Sequence, residues 1–72
     1  MKLREILAIK LREMRDIRDL SQEELADLAQ IDRSYMSYLE NQKYSASLDM
    51  VEKLAAALEV EPLDLLSIPP RE

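Results

Sequence analysis

The chain contains no cysteine, no histidine and no glycine. Each absence removes a class of chemistry. Without cysteine, neither disulfides nor thiolate metal sites reinforce the fold. Without histidine, the commonest metal ligand and the general base most used near neutral pH are both missing. Without glycine, no phosphate-cradling loop of the P-loop or dinucleotide type can be written. The carboxylates that remain lie on helix surfaces among basic residues, and 72 residues leave little room for a closed pocket. The expectation is a non-enzymatic protein with no metal, cofactor or small-molecule substrate.

Long apolar runs are absent as well. No segment approaches the roughly 20 apolar residues needed to cross a bilayer. The opening MKLREILAIKLREM lacks the uninterrupted apolar core and small-residue cleavage site of a signal peptide. A cytoplasmic location is therefore expected, with residues 1–72 forming a single domain. A domain of this size buries only about 60% of the surface its unfolded chain exposes, which leaves a thin stability margin.

Positive charge is scarce: the net charge is −5, whereas nucleic-acid binders usually carry a basic footprint. The distribution is uneven. Residues 1–20 hold six basic and four acidic side chains, while residues 21–72 hold four basic and eleven acidic ones. Within the acidic part, the stretch from Arg33 to Ser47 sets Arg33 and Lys43 against Glu40 alone. A docking face responds to its local field rather than to the total.

Helical periodicity dominates what is present. Leu3, Ile6, Leu7, Leu11 and Met14 recur at three- and four-residue intervals, predicting an amphipathic helix over about 2–17. Ile9 falls off this stripe, as core flank or as an exposed residue. Ser21 followed by Glu24 reads as a capping box, with Leu20 and Leu25 as a hydrophobic staple. The second helix (21–29) then turns Leu25, Leu28, Ala26 and Ala29 inward. Ile31 anchors the turn, and Asp32 caps a third helix (33–41) whose apolar seam is Met36 and Leu39 alone. Its broad polar face is left outside the core. Ser47 caps a fourth helix (47–58) with Leu48, Val51, Leu54, Ala55 and Leu58 at helical spacing, and Pro62 opens a short fifth (62–67), which Pro69-Pro70 prevents from continuing. The fold class is all-α.

Two short helices joined by a tight turn, the second with a polar outer face, form a helix-turn-helix unit. In that geometry the first helix crosses the phosphate backbone and the second enters the major groove, N-terminal residues towards base edges. Arg33 and Ser34 occupy the first turn of the second helix, and Ser37 and Tyr38 follow one turn later. These are the candidate base contacts, with Tyr38 able instead to donate its hydroxyl to phosphate. On position alone, Arg33 is also compatible with a phosphate contact or a solvated surface. Arg12 and Arg15 on the first helix supply long-range attraction or a solvated face.

The segment LSQEELADLAQIDRSYMSYLENQK, continued by SLDMVEKLAAALEVEPLDLL, resembles the Cro/phage-repressor family, also called the xenobiotic-response-element family. Asp32-Arg33-Ser34-Tyr35 is similar to the restriction-modification controller proteins within it. The resemblance covers nearly the whole chain and implies a five-helix, phage-repressor-like domain that regulates transcription by binding double-stranded DNA. It further implies phosphate contacts from Gln22, Asn41, Lys43 and Tyr44. Tyr35 is expected to pack its ring against the second helix while presenting its hydroxyl to backbone or phosphate. Glycine is common in the family where this chain has Asp19, Gln30 and Gln42, and proline where it has Ala46. A left-handed backbone at such a non-glycine position costs roughly 1 kcal/mol.

One recognition helix reads few base pairs, so a homodimer on a palindromic operator is expected. Leu63, Leu65, Leu66 and Ile68 are the candidate dimer surface, unless they close the core instead. The alternative function is a protein-interaction module, antitoxin-like or regulator-binding, that retains the fold and uses its acidic surface.

Overall fold

Three side-chain oxygens set the starts of three helices in the computed structural model, which describes residues 1–67. Ser21 Oγ accepts from the Glu24 N–H at 3.0 Å, and the Glu24 carboxylate accepts from the Ser21 N–H at 3.0 Å, completing the capping box. Asp32 Oδ2 accepts from the Ser34 N–H at 2.9 Å. Ser47 Oγ accepts from the Met50 N–H at 3.0 Å. Each oxygen satisfies a donor that the helix itself cannot. The resulting elements are α1 (Leu3–Arg18), α2 (Gln22–Ala29), α3 (Arg33–Glu40) and α4 (Leu48–Leu58), followed by a 3₁₀ turn (Pro62–Leu65).

Helix ends are built on one repeated device. Asp19, Gln30, Gln42 and Glu59 all adopt positive φ, between 55° and 62°. After each, the next residue's N–H reaches back to a carbonyl five positions earlier: Leu20 to Arg15, Ile31 to Ala26, Lys43 to Tyr38 and Val60 to Ala55. This is the Schellman arrangement, ordinarily built on glycine. The three positions that the family resemblance singled out do keep the left-handed backbone, and Glu59 is a fourth. Leu20, Ile31 and Val60 plug their joints by packing against the core. After α3 the corresponding residue is Lys43, which is exposed.

The core sits where the elements converge. α3 packs on α1 and α2, α2 on α4, and the 3₁₀ turn closes against α4 and α1. Leu7, Leu11, Leu25, Met36, Leu39, Val51, Leu54, Leu58 and Leu65 fill the interior, with Ala26, Ala29 and Ala55 allowing close helix approach. No helix among the described residues is long and apolar enough to cross a membrane.

Several expected core positions lie elsewhere. Leu28 is exposed: at about 100° per residue, Leu25, Ala26 and Ala29 span one arc of α2 and Leu28 falls outside it. Leu3 and Leu48 are also exposed. Both open their helices, and helical side chains lean towards the N-terminus, so these two overhang the end of the core. Ile9 is exposed rather than flanking the core. Lys10, by contrast, buries its stem and places Nζ 3.2 Å from Glu13 Oε1. The predicted fifth helix is a single 3₁₀ turn, which ends where Leu66 leaves helical geometry. Leu65 on it is wholly buried in the monomer, which removes it from the candidate dimer surface. Ile68 lies outside the described residues.

Candidate nucleic-acid interface

The helix-turn-helix is held from the inside. Gln30 turns the chain with φ 58°, and Ile31 packs against the core and donates to the Ala26 carbonyl at 2.9 Å. Met36, Leu39 and Glu40 face inward from α3 and are buried. The opposite side of the helix is left free.

On that side, Gln22 from α2 and Arg33, Ser34, Ser37 and Tyr38 from α3 line one open groove of about 320 Å³. All five were candidate DNA contacts, and two elements bring them together. Arg33 is exposed, with its guanidinium 3.9 Å from the Glu23 carboxylate. Exposed pairs of this kind contribute little, so Arg33 is free to exchange partners. Ser34 is exposed, and Ser37 is half-buried, its Oγ accepting from Asn41 Nδ2 at 3.3 Å.

The remaining candidates form an aromatic cluster beside the groove. The exposed Tyr44 ring meets Tyr38 edge-on, with centroids 5.0 Å apart, and lies 6.1 Å from Tyr35. Lys43 Nζ stands 5.9 Å from the Tyr38 centroid, within cation–π range. Tyr35 is half-buried against the core, with Tyr44 as a neighbour the sequence did not suggest. These contacts restrain side chains in the loop that follows α3.

Glu40, which supports the groove from beneath, is the residue that sequence reasoning missed. Its carboxylate is fully buried among α1, α2 and α3. Arg15 donates from Nε to Oε2 at 2.7 Å and from Nη2 to Oε1 at 2.8 Å, while its Nη1 reaches the Leu20 carbonyl at 2.9 Å. Gln22 Nε2 donates to Oε1 at 3.2 Å. The hydrogen bonds to Glu40 raise the Arg15 pKa, and the attraction of the Glu40 and Asp16 charges adds to this against the opposing effect of burial. Arg15 is thus a structural cation, not a free charge facing solvent. A signal was available, because Glu40 follows Met36 by four residues and so shares its inward face. Among the described residues, no buried side-chain nitrogen or oxygen lacks a hydrogen-bond partner.

Residues 11–65 match a family model described as helix-turn-helix. A Neisseria meningitidis serogroup B protein described as a hypothetical transcription factor is 43% identical over 70 residues, which is 97% of this chain and 65% of that protein. The chain therefore spans slightly less than two thirds of that relative's length. The crystal structure of a hypothetical transcription factor from Neisseria superposes with a TM-score of 0.91 at 41% identity, covering 94% of this chain and 78% of the other. The restriction-modification controller protein C.AhdI from Aeromonas hydrophila superposes with a TM-score of 0.83 at 42% identity, covering 86% and 94% respectively. The clp gene regulator ClgR from C. glutamicum gives 0.84 at 29% identity, covering 92% and 86%.

Proposed function

The chain belongs to the helix-turn-helix family of the Cro/phage-repressor type, and from that premise we propose that it is a non-enzymatic, sequence-specific DNA-binding regulator of transcription that places α3 in the major groove. One observation carries this reading: five polar side chains from two helices open onto one exposed groove, while the other face of α3 is committed to the core. Arg33 makes a bidentate contact to guanine, and Ser34, Ser37 and Tyr38 read neighbouring base edges. Gln22, Asn41, Lys43, Tyr44 and the Tyr35 hydroxyl hold the phosphates and set the register. Residues 1–72 act as one DNA-binding unit.

Binding as a homodimer to a palindrome follows from the small reading face of one α3, with two such helices reaching grooves about 34 Å apart. An exposed apolar region supports this reading. Leu63 is 75% exposed, Leu66 is half-buried, and Leu66 lines a groove with Leu3, Leu7, Ala46, Leu48 and Val51. Bound at a promoter, such a regulator blocks polymerase or helps to recruit it.

Selection from a random duplex pool tests the reading. Enrichment of a palindromic site, with binding that weakens steeply as salt rises, is the expected result. No enrichment, together with salt-insensitive capture of a protein partner, favours the interaction-module alternative.

A further inference from the structure

Two cations converge on Glu40, the single buried carboxylate among the described residues, and they are not equivalent. Arg15 is 15% exposed at its side chain, and its Nε, Nη1 and Nη2 are all hydrogen-bonded. Arg12 is 57% exposed, and its contacts are all long. Its Nε stands 3.5 Å from Glu40 Oε1, and its Nη2 stands 3.4 Å from the Glu40 carbonyl and 3.5 Å from Asn41 Oδ1. One carboxylate neutralises one guanidinium. Arg15 takes that role, so Arg12 carries the surplus positive charge of the cluster.

Its position gives this charge a use. Glu40 Oε1, which Arg12 approaches, is the same atom that accepts from Gln22 Nε2. Gln22 in turn lines the reading groove with Arg33, Ser34, Ser37 and Tyr38. Arg12 therefore stands at the rim of the groove, on the α1 side of Gln22 and next to Asn41. A duplex whose bases face the groove runs its backbone past this rim. A phosphate there finds a loosely held guanidinium with free donors, in a chain that is otherwise acidic.

We propose that Arg12 is a direct phosphate ligand on the DNA backbone, held at the groove rim by Glu40 and Asn41; this rests on the DNA-binding reading above. The contact extends the interface from the helix-turn-helix onto α1. It is blind to sequence, since a guanidinium at this rim meets phosphate oxygens and no base edge. Arg12 exchanges its long contacts for charge-assisted hydrogen bonds, which are shorter and stronger.

The test is fluorescence anisotropy with mixed-sequence duplex DNA, titrated between about 50 and 200 mM salt, on the wild type, Arg12→Gln and Arg12→Lys. Arg12→Gln is expected to weaken binding by about tenfold at the low-salt end and to reduce the log–log salt slope by about 0.9 for each protomer bound. Arg12→Lys retains most of the slope because it keeps the charge. Circular dichroism and thermal midpoints accompany each titration, because a purely structural role lowers stability and leaves the salt slope of the folded protein unchanged. Unchanged affinity and slope in folded Arg12→Gln overturn the clamp and leave the regulator reading intact. A wild type that binds no duplex at low salt overturns both.

Discussion

Arg15 and Glu40 are joined by two hydrogen bonds of 2.7 and 2.8 Å across 25 residues of sequence, in a place where water does not reach the carboxylate. The pair fastens the C-terminal end of α3 to α1, and through Gln22 it also fixes the start of α2. Removing one partner of such a pair strands a charge and costs about 3–5 kcal/mol. Glu40→Ala and Arg15→Ala are each expected to lower the urea midpoint strongly, or to prevent folding outright. A double replacement, Arg15→Met with Glu40→Leu, is expected to recover much of the loss, since no orphaned charge remains. If both single variants unfold at the wild-type midpoint, the pair is not what holds α3.

The same pair sets an expectation for pH. The raised pKa of Arg15 means that its contribution is fully present below the arginine value of the unfolded chain and is lost only as pH climbs through the higher folded value. Both lie above the working range. Between neutral and moderately alkaline pH, the difference in midpoint between wild type and Arg15→Ala is expected to stay constant. A difference that shrinks over that interval contradicts the sign of the shift.

Left-handed residues without glycine offer a way to stabilise the domain. Gln30, Gln42 and Glu59 carry side chains that this backbone disfavours. Replacing any one by glycine is expected to raise stability by about 0.5–1 kcal/mol, after allowing for the extra freedom glycine gives the unfolded chain. Asp19→Gly is expected to gain less, since aspartate tolerates the region better. Chemical denaturation with an unchanged m-value is the measurement; a lower midpoint counts against the assignment.

Specificity and affinity are expected to separate by residue. Arg33→Ala is expected to remove about 1–3 kcal/mol of discrimination at one base pair, flattening the preference measured in a competition against single-base variants of the selected site. Gln22→Ala and Lys43→Ala are expected to weaken all sites evenly. An Arg33→Ala protein that keeps both affinity and preference shows that α3 reads the duplex differently.

Leu63 and Leu65 are neighbours in the 3₁₀ turn with opposite fates. Leu65→Ala leaves a hole in the core and is expected to cost about 2–5 kcal/mol. Leu63→Asp touches an exposed position, so the monomer is expected to keep its stability while sedimentation velocity shows loss of dimer. A Leu63→Asp protein that dimerises like the wild type moves the self-association surface elsewhere.

How far the sequence could be read depended on the distance over which each signal acts. Ser21 with Glu24, Asp32 and Ser47 are cap signals within three residues of what they bond, and all of these helix starts appear where the sequence places them. Periodicity located the helices but not the centre of each buried arc, which depends on neighbouring elements. Leu28 misses its arc for that reason, whereas Leu48 shares the arc of its helix but sits at the start, where it overhangs the core. The inward position of Glu40 is legible from its spacing to Met36, but the counter-charge that permits its burial is not, because Arg15 lies on another helix. The candidate site was legible as residues but not as an assembly. Nothing local places Gln22 at the same groove as Tyr38, or Tyr44 against Tyr35.

α3 divides its eight residues between two duties with little overlap. Met36, Leu39 and Glu40 answer to the interior, while Arg33, Ser34 and Tyr38 are exposed and half-buried Ser37 opens onto the same groove. If α3 reads DNA as proposed, a lineage that changed the outward set would acquire a new target without endangering the scaffold, whereas change in the inward set endangers the scaffold first. Diversification of such proteins is then expected to run along one side of a single helix, so that transplanting a few outward residues transfers target choice from one relative to another.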